Sequence, residues 1–182
     1  MEAGFATIGH SRRSLGEVIG MLRAAGVGML ADVRAFPRSR GNPVFNIDSF
    51  PAALAEVRIG YRHLPTLGGR RPRQPVEPAV NALWRVRGFH NYADYALGPD
   101  FAAGLSELLL LGAGRRTCLM CSEAVWWRCH RRIIADYLLA GGHAVTHLMA
   151  PGREELARLT PGAVVAGARI TYPALAEAPG GV

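Results

Sequence analysis

Two short apolar runs, Phe5 to Ile8 and Val27 to Val33, flank one amphipathic helix pattern, and this restricts the possible folds more than any other feature of the chain. A strand buried on both faces reads as a continuous apolar run, without the alternation of a half-exposed strand. Between the two runs, Ser14 with Glu17 three residues later forms a capping box, and Leu15, Val18, Ile19 and Leu22 share one helical face. Gly26 ends that helix. Strand, helix and strand within about 30 residues make a βαβ unit, whose strands pair in parallel.

The rest of the chain extends this plan. An irregular stretch from Arg34 to Asn46 carries Pro37 and Pro43, and Ser49 caps a short helix with Pro51 in its first turn. Tyr61 to Leu64 reads as a third strand, followed by a long loop from Thr66 to Pro78. Helices are expected over Asn81 to Tyr95 and Pro99 to Leu111. Arg116 to Cys121 reads as a strand, Ala124 to Ala140 as a long helix, Ala144 to Met149 as the last clear strand, and Pro151 to Leu159 as a short helix. The expected architecture is a single α/β domain over residues 1–174, Rossmann-like, with a mostly parallel sheet of about five strands and helices on both faces. The Ala-, Pro- and Gly-rich residues 175–182 are expected to form a disordered tail.

Nearly half of the 182 residues are hydrophobic (49%), enough for a full core. No apolar run approaches the roughly 18 residues of a membrane span. Met1-Glu2-Ala3-Gly4 lacks the basic region of a secretory signal, so a cytoplasmic protein is expected. Three cysteines, Cys118, Cys121 and Cys129, make a poor disulfide framework.

The net charge of +7 is unevenly spread. From Asp32 to Arg73, eight arginines stand against three acids, and from Arg115 to Arg132 five stand against one. Local basic surplus points to an anionic partner, a nucleotide or nucleic acid.

In parallel sheets, ligands bind beyond the carboxyl ends of the strands. Those ends carry His10 and Ser11, Asp32 and Arg34, Leu64 to Thr66, and Cys121 to Glu123. Glu123 and Cys121 are therefore candidate catalytic groups, with Asp32 and His130 beside them. Cys121 is read as sitting at a helix N-terminus, a position that lowers a thiol pKa. Asp32 and Arg34 flank Val33 and so point the same way. His10, Ser11, Arg34, Arg38, Arg40, Arg70, Arg71, Arg128 and Arg131 are the expected anion-binding residues, since arginine forks pair with phosphate oxygens. Cys118 and Cys121 face opposite sides of a strand, and Cys129 and His130 diverge by about 100° on the expected helix, so no metal is expected; with no G-x-G-x-x-G or Walker pattern, no cofactor is expected either.

Several of these segments together resemble a bacterial family numbered 488 among the domains of unknown function. They are Thr7-Ile8-Gly9-His10-Ser11, Leu30-Ala31-Asp32-Val33-Arg34, Pro37-Arg38-Ser39-Arg40, Tyr61 through Gly69, Tyr92-Ala93-Asp94-Tyr95, and Met120-Cys121-Ser122-Glu123-Ala124 with Cys129-His130-Arg131-Arg132. The resemblance implies a compact α/β fold and leaves the reaction open.

Three functions compete: an enzyme cleaving or transferring at a glycosidic or phosphoryl centre of a nucleotide or nucleic acid, a non-catalytic nucleotide or nucleic-acid binding module, and a thiol- or metal-dependent protein using Cys121 and Cys129. The first is favoured.

Overall fold

The computed structural model describes residues 4–176. Five strands run parallel: β1 (Phe5–Gly9), β2 (Met29–Asp32), β3 (Gly60–His63), β4 (Thr117–Cys121) and β5 (Val145–Ala150). A sixth, β6 (Arg153–Leu156), closes one edge antiparallel to β5, and the sheet order is β3-β2-β4-β1-β5-β6. The central strands β1 and β4 are buried along their whole length, as their apolar runs require.

Helices cover both faces. On one, α1 (Leu15–Ala24) and α2 (Phe50–Glu56) pack Val18, Leu22, Phe50 and Leu54 against Ile8, Leu30, Cys118 and Met120. On the other, α3 (Arg87–Tyr95), α4 (Pro99–Gly112) and α5 (Arg131–Ala140) pack Tyr92, Phe101, Leu108, Ile133 and Ile134 against Phe5, Ala31, Leu119 and Cys121. Alternation along β4 thus separates Cys118 from Cys121, as expected.

β1 passes the chain to α1 on one face, while its neighbour β4 passes it to α5 on the other. Connections that diverge from adjacent parallel strands open a crevice above their carboxyl ends.

Three expected elements differ. Pro151 to Leu159 forms no helix: Gly152 at φ +71° turns the chain, and residues 153–156 pair with β5 as an edge strand. Ladder bonds to an open sheet edge outweigh the helix propensity of Arg-Glu-Glu-Leu. The helix expected from Ala124 begins only at Arg131, preceded by a 3-10 turn over Trp126–Arg128. The carbonyls that would start it are taken elsewhere: Ser122 accepts from the Ser11 N–H (2.9 Å) and Glu123 from the Arg131 guanidinium (2.6 Å). The helix expected over Asn81 to Tyr95 is split into a 3-10 turn at Pro78–Asn81 and α3.

An unforeseen ribbon, β7 (Val164–Ala166) and β8 (Arg169–Thr171), turns at Gly167 and leads to Tyr172, wholly buried with its hydroxyl donating to Asp136 (2.8 Å). Residues 177–182 of the expected tail lie outside the described residues. Among the described residues, no helix is long and apolar enough to cross a membrane.

Candidate functional site

A cleft of about 580 Å³ opens at the carboxyl ends of β1, β2 and β4. His10, Arg34 and Cys121 reach it from those three strand ends. Ser122 and Glu123 follow from β4, and Cys129 and His130 enter from the turn before α5. Arg38, Arg70 and Arg128 complete a lining in which four residues are arginine and one, Glu123, is acidic.

One side of the floor is a buried ion pair. Asp32 is wholly buried, and Arg34 is 4% exposed, so each charge needs a close partner. Arg34 donates Nε–H to Asp32 Oδ1 (2.9 Å) and Nη2–H to Oδ2 (2.6 Å), a two-pronged bridge. Tyr61 donates its hydroxyl to the same Oδ2 (2.6 Å). Arg34 Nη1 reaches His10 Nε2 (3.3 Å), and His10 Nδ1–H donates to the Ser11 carbonyl (3.1 Å). Burial pushes the His10 imidazole down to about 4, and the charges of Arg34 and Arg131 act in the same direction. A neutral ring, stacked on Phe45 at 4.6 Å, is what this hydrogen-bond pattern demands.

The other side is a thiol centre. Cys129 lies at the start of α5 with His130 as the N-cap. Arg131, 1% exposed, donates Nε–H to Cys129 Sγ (3.2 Å) while its Nη2 holds the Glu123 carbonyl. His130 Nδ1 is 3.5 Å from Cys129 Sγ, and its Nε2–H donates to the Val33 carbonyl (2.9 Å). Burial is the strongest single influence on Cys129 and raises its pKa. It is outweighed by the hydrogen bond from the Cys121 thiol and by the charge and N–H groups of Arg131, and the pKa falls to about 6. Cys121 moves the other way: its bond to Cys129, then burial, push it up to about 12.

This corrects the sequence expectation for Cys121. Helix N-terminal donors lower a thiol pKa, but the helix starts at Arg131, so they meet Cys129 instead. It also corrects the separation of Cys129 from His130. Neither sits in a helical turn, and their side chains touch.

Two glycines make the centre possible. A methyl group on Gly9 would overlap the Glu123 carbonyl that Arg131 holds, and one on Gly69 would overlap the His130 ring. These close approaches explain why glycine stands in both segments.

Of the expected site residues, His10, Arg34, Arg38, Arg70, Cys121, Glu123, Arg128 and His130 line the cleft. Five do not. Asp32 lies beneath Arg34, and Arg131 lies beneath Cys129. Arg71 folds over the Tyr95 ring at 4.0 Å and bonds the Gly68 carbonyl. Ser11 at φ +44° shapes the turn after β1, and Arg40 is exposed outside the cleft. Arg38 lines it while paired with Asp48 (2.9 Å) on the surface. Cys129 was underweighted in the sequence, where its adjacency to His130 and Arg131 was the available signal.

Comparison with curated proteins finds no match, and comparison with solved structures finds none. A family model does match, over residues 14–138, spanning β2, β3 and β4 with the whole Cys121-to-Arg132 segment, and the chain belongs to that family, Domain of unknown function DUF488.

Proposed function

We propose that the chain is an enzyme acting on a phosphate-bearing substrate, a nucleotide or nucleic acid, at a glycosidic or phosphoryl centre in the cleft above β1, β2 and β4. The observation that carries this reading is the meeting of four arginines with Cys121, Cys129, His130 and Glu123 in one cleft. Arginine forks bind phosphate oxygens in pairs, and a low-dielectric cleft strengthens that attraction. Arg70 and Arg128 are exposed on the rim and serve as phosphate grips. Phe36, 68% exposed beside Arg70, offers a flat face for a base. Glu123 at the lip supplies a carboxylate for proton transfer.

The test is a panel of nucleoside mono-, di- and triphosphates and single-stranded oligonucleotides, followed by release of phosphate and of free base. Turnover of one class is expected, and both Glu123→Gln and Cys129→Ser abolish it without unfolding the protein. Full turnover in both variants places the chemistry elsewhere, and tight binding with no turnover leaves a binding module.

A further inference from the structure

We propose that Cys121, Cys129 and His130 form a binding site for a divalent transition-metal ion, zinc by its ligand chemistry, with one coordination position open to the cleft. Cys121 Sγ, Cys129 Sγ and a His130 ring nitrogen all lie within 4.8 Å of one another. A tetrahedral zinc ion with Zn–S of about 2.3 Å and Zn–N of about 2.0 Å needs its ligands somewhat closer together, about 3.3–3.8 Å. Small side-chain rotations close that gap.

The surroundings fit a metal ligand set. A zinc-bound histidine almost always donates its other ring N–H to a carbonyl or carboxylate, which aims the free lone pair at the metal. His130 does this: Nε2–H goes to the Val33 carbonyl, leaving Nδ1 directed at Cys129 Sγ. The Gly69 backbone packs so close to the ring at Nδ1 that a methyl group there would overlap it. Arg131 Nε–H on Cys129 Sγ is a second-shell bond to a thiolate ligand. Two thiolates and a neutral imidazole are a soft set, suited to zinc and unsuited to magnesium or calcium. The two thiolates cancel the ion's double charge.

All three ligands line the cleft, so a fourth position faces its interior. Three protein ligands with an open vertex are the catalytic pattern of zinc, whereas structural zinc is closed by four. There the ion would take a water or a phosphate oxygen, beside Arg34, Arg70 and Arg128. The metal site rests on the ligand geometry alone, and its part in turnover rests on the reading above.

The whole 182-residue chain, stripped with a chelator and titrated with Co²⁺, tests this. One equivalent giving a thiolate-to-cobalt charge-transfer band and tetrahedral d–d bands is expected. Zinc affinity, measured against a chromophoric chelator, is expected to fall in Cys121→Ser, Cys129→Ser and His130→Asn by at least the roughly ten- to hundredfold that loss of an outer-shell partner costs. Cys118→Ser, on the opposite face of β4, is expected to bind as the parent does. Zinc is also expected to raise the thermal midpoint of the parent and Cys118→Ser while leaving Cys121→Ser unmoved. Absence of a thiolate band, or unaltered affinity in both cysteine variants, overturns the proposal. None of these readouts uses substrate, so a metal-binding protein that turns over no phosphate compound fails the functional reading and leaves the site standing.

Discussion

His130 donates its Nε2–H to the carbonyl of Val33 at 2.9 Å, and this bond decides which nitrogen faces Cys129. A carbonyl can only accept, so Nε2 carries the proton and Nδ1 presents its lone pair to the sulfur. Val33 stands one residue beyond β2, so the end of one strand orients a group that acts at the end of its neighbour.

Cys129, whose pKa is lowered to about 6 beside Arg131, is expected to be the reactive cysteine of the three. In chelator-treated protein, alkylation by iodoacetamide is expected to rise with a midpoint near pH 6 at Cys129, with Cys118 and Cys121 inert at neutral pH because their thiols are pushed up to about 12. Arg131→Met removes a charge and the Nε–H donor to Cys129 Sγ, so the midpoint moves upward. Mass mapping of the modified peptide reads this directly. Modification first at Cys121 contradicts the assignment.

Gly69→Ala drives a methyl into the His130 ring. Overpacking of this kind costs about 1–3 kcal/mol. The ring's displacement is expected to weaken its bond to Val33 and slow Cys129 alkylation at pH 7. Gly16→Ala, where an added methyl meets nothing within 4 Å, is the matched control; it leaves alkylation unchanged and does not lower stability, since alanine suits helix α1 better than glycine. Equal behaviour of the two variants removes the steric account of Gly69.

The Asp32–Arg34 pair predicts an asymmetry. Asp32→Ala leaves a buried guanidinium without its carboxylate and is expected to destabilise the fold by about 3–5 kcal/mol. Asp32→Leu with Arg34→Met removes both charges and is expected to recover much of that loss. Urea unfolding of the single and double variants decides the matter. Equal losses in the two show that the pair does not interact as the distances state.

The βαβ core was legible because buried parallel strands leave continuous apolar runs, and Phe5 to Ile8 and Val27 to Val33 are such runs. The shared direction of Asp32 and Arg34 followed from strand alternation alone. The entry to α5 was hidden, since residues 124–130 carry no glycine or proline to mark a break in the helix. What unwinds them is long-range: Ser11 and Arg131 take the carbonyls of Ser122 and Glu123, and Trp126 lies flat on His147 at 4.5 Å. A helix starting at Ala124 would aim its N-terminal donors at Cys121; starting at Arg131, it aims them at Cys129. β6 was hidden for the same kind of reason, its pairing being set by an edge of β5 that no local pattern announces.

Acid is expected to weaken the fold through two buried imidazoles. Burial lowers His10 to about 4 and His147 to about 4, with Arg131 adding to both shifts. The unfolded chain binds these protons near 6.5, so between pH 6.5 and 4 it holds more protons than the folded one, and stability falls as pH falls. Each histidine contributes at most about 3 kcal/mol over that window. Above pH 7 neither contributes a slope. Denaturant midpoints across this range are expected to show the decline, and His147→Gln to reduce it by about half, since the two shifts are alike. A profile as steep in His147→Gln as in the parent assigns the decline to other groups.

Cleft arginines and outlying arginines should differ in how salt affects them. Every phosphate held by a cation releases counterions, so log affinity for a single strand falls with log salt by about 0.7 per contact. Arg70→Ala and Arg128→Ala are each expected to weaken binding of a short single-stranded oligonucleotide and reduce that slope by about 0.7. Arg40, exposed outside the cleft, is the control, and Arg71 is held to the Gly68 carbonyl and the Tyr95 ring. Arg40→Ala is therefore expected to leave the slope unchanged, and Arg71→Ala to act through stability and not through salt. Fluorescence anisotropy between low and high salt measures all four. Equal slopes in Arg40→Ala and Arg70→Ala mean that the anion follows the general basic surface and not the cleft over Cys129.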